Sequence, residues 1–196
     1  MTELLIVRHG QSEWNEIGRW QGQSDPPLTE LGRREAAAAG ASLAAGAMGE
    51  FDSIWASDLW RAVTTANLIA QALGHEIVST HCKIRERFAG PWEGLTREEI
   101  EAGWPGYLDQ RMRPEGFESD DSLTQRAMAG LEDIAERTAR AVVVAHGGVI
   151  RCIDRHLGLQ GRSIANLASR LLTRDSSGWS IVDGPDLAAG TDTGLE

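Results

Sequence analysis

Leu4-Leu5-Ile6-Val7 is a continuous apolar run, the pattern of a strand buried on both faces, and it stops abruptly at Arg8-His9-Gly10. The pattern returns at Ala141 to Ala145, which ends at His146-Gly147-Gly148 ahead of a helical stretch from Val149 to Leu157. Between these runs, apolar residues at helical spacing predict one helix from about Glu30 to about Ala47, with Thr29 as its cap, and another from about Leu59 to about Leu73. Short strands are expected at Ser53 to Ala56 and Glu76 to Ser79, and a further helix from about Ser122 to about Thr138. This alternation of strands and helices predicts an α/β fold, a three-layer α/β/α sandwich around a mostly parallel central sheet.

A length of 196 residues suits one domain, expected over residues 1–184. Pro105, Gly106, Pro114 and Gly116 punctuate residues 96–122, which read as short helices and loop forming a lid. Ser169 to Thr173 and Trp179 to Asp183, joined by Asp175-Ser176-Ser177-Gly178, read as a hairpin at a sheet edge. Residues 185–196 have the composition of a flexible tail.

Charge narrows the choice of partner. The formal net charge of -10 disfavours nucleic acid and anionic membrane, so any anionic ligand must be drawn by a local cluster of arginines. The start of the chain lacks the basic and apolar regions of a signal peptide. The longest uncharged stretch, Ala36 to Gly49, is too short to span a bilayer. Cys82 and Cys152 have no metal-type spacing, which points to a reduced, cytoplasmic protein, and a homodimer is compatible with the sequence.

Ligands of open parallel sheets bind beyond the carboxyl ends of strands, where His9 and His146 both fall. A single histidine there is as readily structural as functional. Arg8 beside His9, and Arg61 at the start of the helix after the Ser53 strand, change that balance: a guanidinium fork matches phosphate oxygens, and two arginines with two histidines make an anion pocket. The absence of H-E-x-x-H or Cys/His spacing, with two arginines that would repel a divalent cation, argues against a metal site, and no cofactor is expected.

Arg8-His9-Gly10-Gln11-Ser12-Glu13-Trp14-Asn15 closely resembles the R-H-G-[EQ]-[ST]-x-x-N signature of the histidine phosphatase superfamily, also called the phosphoglycerate mutase-like family. Gly22, Leu28 to Gly32, Ala56 to Ala62, Ile84-Arg85-Glu86, Gly90 to Gly94 and Ala145 to Arg151 follow in the family's order. The resemblance implies that His9 becomes a phosphohistidine. Its attacking nitrogen must then be unprotonated, while the other donates to a backbone carbonyl. It implies further that Arg8, Arg61, His146 and backbone donors near Gly147 clamp the transferring phosphoryl group, and a charged His146 would help keep a proton off His9. Glu86 matches the family's proton donor, and Gly147 occupies the position where some branches place an aspartate for that role. Ser12 and Asn15 match phosphate-binding positions, although local turn bonding is as plausible for both. Gln21 and Gly22 resemble residues of the substrate mouth.

Phe117 stands where many members carry Gly, although Glu118 keeps its spacing to Arg126. Trp14, Trp20, Trp60, Trp92 and Trp104 lie in or near motif loops, and packing is the commoner use of tryptophan. Arg111 and Arg113 are placed either to meet an acidic substrate or on a solvated face. The activity implied is a metal-independent phosphomonoester phosphatase acting on a small phosphorylated metabolite. A cofactor-dependent phosphoglycerate mutase and a non-catalytic phosphate-binding module are the alternatives.

Overall fold

A computed structural model describes residues 1–46, 48–159 and 164–187. Six strands form one sheet in the order β3-β2-β4-β1-β5-β6. They are β1 (Thr2–Arg8), β2 (Ser53–Ala56), β3 (Val78–Thr80), β4 (Arg140–Ala145), β5 (Ser169–Asp175) and β6 (Gly178–Asp183). The first four are mutually parallel, whereas β5 and β6 add an antiparallel hairpin at one edge. The helices are α1 (Glu13–Glu16), α2 (Glu30–Ala44), α3 (Trp60–Leu73), α4 (Arg97–Gly103), α5 (Asp120–Ala135) and α6 (Gly147–His156).

The strand period sorts the apolar runs into two cores. Leu5, Val7, Val142, Val144, Ile54 and Ala56 face α2 and α3. Leu4, Ile6, Ala141, Val143 and Ala145 face α5 and α6. Both faces are covered, which is why β1 and β4 read as unbroken apolar runs. Small residues draw α2 close to α3: a Cβ on Gly40 would stand 2.8 Å from the Ala72 Cβ. Among the described residues, no helix is long and apolar enough to cross a membrane.

Caps move several boundaries away from the expected ones. Ser119 accepts from the Ser122 amide, so α5 starts at Asp120 and ends at Ala135, short of Thr138. Helix α6 begins directly at Gly147, with His146 as N-cap, two residues earlier than periodicity suggested. Helix α2 stops at Ala44, and the expected end at Ala47 lies outside the described residues. β3 is shifted by one to two residues, to Val78–Thr80.

Residues 96–122 contain α4 and turns packed on a small core of their own, where Trp92 and Ile100 are fully buried and Trp20, Trp104 and Phe117 lean against them. Trp60, by contrast, is exposed. The expected flexible tail begins differently: Leu187 is buried against the α2 and α3 core, and the Pro185 carbonyl accepts from Ser169. Residues 188–196 lie outside the described residues.

Two glycines separate steric from conformational requirements. A Cβ on Gly32 would stand 2.0 Å from the Gln11 carbonyl oxygen, where helix α2 presses on the loop after β1. Gly74, at the C-terminus of α3, has φ +74° and open space around it. Gly74→Ala should lower stability by about 1 kcal/mol through backbone strain alone. Gly32→Ala should cost more, by about 1–3 kcal/mol, because backbone must move. Urea midpoints of the two variants test this, and equal losses would refute the steric account.

Candidate active site

Strand order explains why distant residues meet. β1 and β4 lie side by side in parallel, with Arg8 opposite Ala145, and the ladder continues one step as the His9 amide donates to the Ala145 carbonyl at 3.1 Å. His9 and His146 therefore leave the sheet together, with ring centroids 5.2 Å apart at 61°. On the other side of β4, the Ser57 amide donates to the Val144 carbonyl, and α3 starts three residues later with Arg61 in its first turn.

His9 has its tautomer set by its neighbours. Its Nδ1 lies 2.7 Å from the Gly10 carbonyl oxygen, which can only accept, so Nδ1 carries the proton. Nε2 is left with its lone pair and accepts from Arg61 Nε at 3.3 Å. The Asn166 amide donates to the His9 backbone carbonyl at 2.8 Å. Arg61 is fully buried and spends its other donors on the Ser24 carbonyl at 2.7 Å and the Gly22 carbonyl at 2.9 Å, with the Asp25 carboxylate at 3.6 Å.

Burial pushes the pKa of His9 well below the ordinary histidine value, and the Arg61 and Arg8 charges lower it further. His146 behaves likewise, through burial first and then Arg61, His9 and Arg8. The expectation of a charged His146 is thus corrected: in the unliganded pocket both imidazoles are neutral. Among the described residues, neither ring nitrogen of His146 nor Nε of Arg8 has a hydrogen-bond partner, although all three are buried. Buried donors without partners are costly, so this corner of the site is short of an acceptor.

Glu86 faces the same space. Its carboxylate accepts from the Arg87 amide at 2.7 Å and the Gly148 amide at 2.8 Å, closing the first turn of α6. Its backbone carbonyl accepts from Gln23 at 3.1 Å and from Arg126 at 2.9 Å, and Arg126 is itself gripped by Glu118 through two bonds of 2.7 Å. A Cβ on Gly148 would fall 2.1 Å from Glu86 Oε1, so glycine there makes room for the carboxylate.

Of the residues singled out from sequence, Arg8, His9, Asn15, Gln21, Gly22, Arg61, Glu86 and Gly147 line one cavity of about 330 Å³. His146 packs behind His9, outside that lining. Ser12 is buried as the cap of α1: its hydroxyl accepts from the Asn15 amide and lies 2.8 Å from Gln21 Oε1, so its bonds are local. Gly22 contributes its carbonyl to Arg61, and its φ of +51° and the Glu93 carboxylate 2.1 Å from a hypothetical Cβ account for glycine. Arg111 and Arg113 border a second cavity, which shares Trp20, Arg87 and Arg151 with the first. Asn166 and Glu93 were not anticipated. Glu93 is found only in the Gly90 to Gly94 motif, and Asn166 has no sequence signal. Among the described residues, no group of three or more His, Cys, Asp or Glu could hold a metal ion.

The buried imidazoles fix a pH dependence. Both are neutral in the folded chain and titrate near pH 6.5 once unfolded, so below that pH the unfolded state binds more protons. Stability of the unliganded protein is therefore full above about pH 6.5 and falls as pH drops, by up to about 1.4 kcal/mol per pH unit for each histidine, until its folded pKa is reached. Urea unfolding between pH 7.5 and 5 should show this decline, and His146→Gln should make it shallower. Parallel curves would refute the assignment.

Comparison with known proteins matches this arrangement. The sequence profile of the histidine phosphatase superfamily (branch 1) covers residues 4–184. A metal-independent phosphoserine phosphatase of Arabidopsis thaliana is 37% identical over 78% of this chain and 67% of its own. A glucosyl-3-phosphoglycerate phosphatase of Mycolicibacterium vanbaalenii is 34% identical over 80% of this chain and 74% of its own. The solved structure of a mycobacterial glucosyl-3-phosphoglycerate phosphatase with VO3 superimposes with a TM-score of 0.80 at 29% identity, covering 94% of this chain and 98% of that one. The cavity at the ends of β1, β2 and β4 is therefore that of a family member, and the chain belongs to the histidine phosphatase superfamily.

Proposed function

We propose that this protein is a phosphomonoester phosphatase that works through a phosphohistidine on His9 and acts on a small phosphorylated metabolite. The observation that carries the reading is the corner around His9: an imidazole whose Nε2 lone pair is free of a proton, beside three buried polar atoms that lack partners among the described residues. A phosphoryl group bound there brings the missing acceptors. Arg8, Arg61 and a neutral His146 that donates through one ring nitrogen hold its oxygens, and Gly147 and the start of α6 add a backbone dipole. Asn15, Gln21 and Gly22 edge the pocket and help set the approach of the substrate, and Ser12 supports them from behind.

In the first step Arg61 Nε moves from His9 Nε2 to a phosphate oxygen, and Nε2 attacks phosphorus. The ester P–O bond breaks, and protonated Glu86 gives its proton to the leaving oxygen. In the second, Glu86 takes a proton from water as the water oxygen attacks phosphorus, the P–N bond breaks and phosphate leaves. Guanidinium groups neutralise the phosphoryl charge, so the reaction needs no metal. The printed names of the two relatives, a phosphoserine phosphatase and a glucosyl-3-phosphoglycerate phosphatase, support a small metabolite as substrate. The unpaired thiols of Cys82 and Cys152 support a reducing, cytoplasmic location.

Rapid quench with a labelled phosphomonoester should trap acid-labile, base-stable protein phosphate on the wild type and none on His9→Ala, and EDTA should leave turnover intact. Undiminished turnover by His9→Ala would overturn the mechanism. Faster phosphate exchange between the carbons of 3-phosphoglycerate than release of free phosphate would favour a mutase. Glu86→Gln should slow phosphoenzyme formation from an alkyl phosphate by about 10²–10⁴-fold. The burst from p-nitrophenyl phosphate, whose leaving group needs no proton, should be largely kept. Equal losses on the two substrates would remove Glu86 from the acid role.

A further inference from the structure

We propose that Asn166 and Thr65 clamp the peptide between His9 and Gly10, and that Asn166 is thereby a positioning residue that keeps the His9 proton on Nδ1 while phosphate is bound. The proposal rests on the phosphatase reading above and adds to it what aims the nucleophile.

Both ends of that peptide are held by side chains. Asn166 Nδ2 donates to the His9 carbonyl at 2.8 Å, and the Gly10 amide donates to Thr65 Oγ1 at 3.1 Å. Thr65 is fully buried on α3 and donates its own hydroxyl to the Arg61 carbonyl at 2.8 Å, so a lone pair is left for the Gly10 amide. The Asn166 amide has one orientation. Its nitrogen also lies 3.4 Å from Asn15 Oδ1, an oxygen that accepts from the Ser12 amide. A peptide held at carbonyl and amide resists turning, and the next carbonyl along the chain, that of Gly10, keeps its place 2.7 Å from His9 Nδ1.

The segment that carries Asn166 runs along Arg8 and His9. The Ile164 carbonyl accepts from the Arg8 guanidinium, the Leu167 amide donates to the Arg8 carbonyl at 3.1 Å, and the Arg8 amide donates to the Ala168 carbonyl at 3.0 Å. Leu167 is fully buried with φ +58°, a left-handed conformation that residues other than glycine adopt at a cost. Strain beside a polar contact on the nucleophile's own peptide points to positioning as what this segment supplies. On either side of it, the buried Arg170–Asp154 pair, with bonds of 3.1 and 3.2 Å, ties β5 to α6.

The clamp matters most at the moment of attack. Among the described residues two neighbours favour the Nδ1–H tautomer in the unliganded pocket: the Gly10 carbonyl, which accepts from Nδ1, and Arg61 Nε, which donates to Nε2. When Arg61 Nε turns to a phosphate oxygen, only the Gly10 carbonyl is left of the two. A phosphate oxygen beside Nε2 favours the opposite tautomer, because it can accept from Nε2–H, and an imidazole protonated there has no lone pair with which to attack phosphorus. Binding and attack thus pull the proton in opposite directions, and the held peptide decides for attack.

Asn166→Leu keeps the shape of the side chain and removes its donors, and Thr65→Val does the same for the hydroxyl. Each should slow phosphoenzyme formation from p-nitrophenyl phosphate by up to about 10²-fold in rapid quench, the scale of a small misplacement of reacting atoms. Their dissociation constants for inorganic phosphate should be unchanged or lower, with thermal melts confirming that both fold. Thr65→Ser, which keeps the hydroxyl, should recover most of the rate. The double variant should lose little more than either single one, since both contacts act on one peptide. Nitrogen NMR with inorganic phosphate bound, at about pH 8 and so above the histidine range, should show Nδ1–H on wild-type His9 and a share of Nε2–H in Asn166→Leu. Gly74→Ala, destabilised far from the site, should change neither rate nor tautomer. The same tautomer in wild type and Asn166→Leu, parallel losses of phosphate affinity and rate, or additive losses in the double variant would overturn the clamp. If His9→Ala kept its turnover, the phosphatase reading would fail separately, and the tautomer comparison would still decide the clamp.

Discussion

The arrangement of the site depends on one buried cation. Arg61 is fully enclosed, its Asp25 partner stands 3.6 Å away, and it is held chiefly by backbone carbonyls and one imidazole. A guanidinium in that position requires acceptors on all its edges, and the loop that follows α1 bends to supply them from Gly22 and Ser24. That bend places Gly22 at positive φ with the Glu93 carboxylate against it. Glu93 in turn accepts from the Gln23 amide, the Ser24 hydroxyl and the Ala89 amide, tying the two mouth loops together. The remaining edge of Arg61 meets His9, so the charge that shapes the loops adds to burial in keeping His9 Nε2 unprotonated.

A second cation, half-buried, organises the opposite wall. Arg126, on α5, reaches the carbonyls of Lys83, Arg85 and Glu86, and Glu118 closes on it with both oxygens. Packing of α5 against β4 and β1 therefore fixes the Glu86 backbone, while the Arg87 and Gly148 amides fix its carboxylate. Helix α6 has its first turn capped by a side chain from another element, which couples the position of Glu86 to that of His146 one residue before the helix.

Sequence reading recovered most of this framework because its signals are local. Apolar runs ending in Arg-His-Gly and His-Gly-Gly marked β1 and β4, and adjacency in a parallel sheet brought their ends together. Element ends were less legible because caps decide them: Ser119 starts α5 inside a stretch of acids that periodicity alone assigns to loop. Motif positions also left open what each side chain touches. Ser12 turned out to cap α1, and Gly22 to serve through its carbonyl. The charge state of His146 depends on three-dimensional burial, which no spacing reveals. Asn166 holds the His9 carbonyl from an irregular segment with no pattern of its own. Leu187 lies in a stretch whose composition resembles a tail, yet it is buried in the core that faces α2 and α3.

The uneven charge of the molecule follows the same logic at longer range. An overall charge of -10 repels polyanions over distances near the Debye length, about 8 Å at physiological ionic strength. Inside the mouth, Arg8, Arg61, Arg87 and Arg151 meet few carboxylates, and at that range the local field is positive. A small dianion can pass the outer field and settle in the inner one, whereas a long anionic polymer must keep most of its charge outside. A field of this shape favours a small anion over a long one on charge alone. The surface acids and the pocket arginines thus act on an anion in opposite senses, and among the described residues Glu86 is the one carboxylate that lines the pocket.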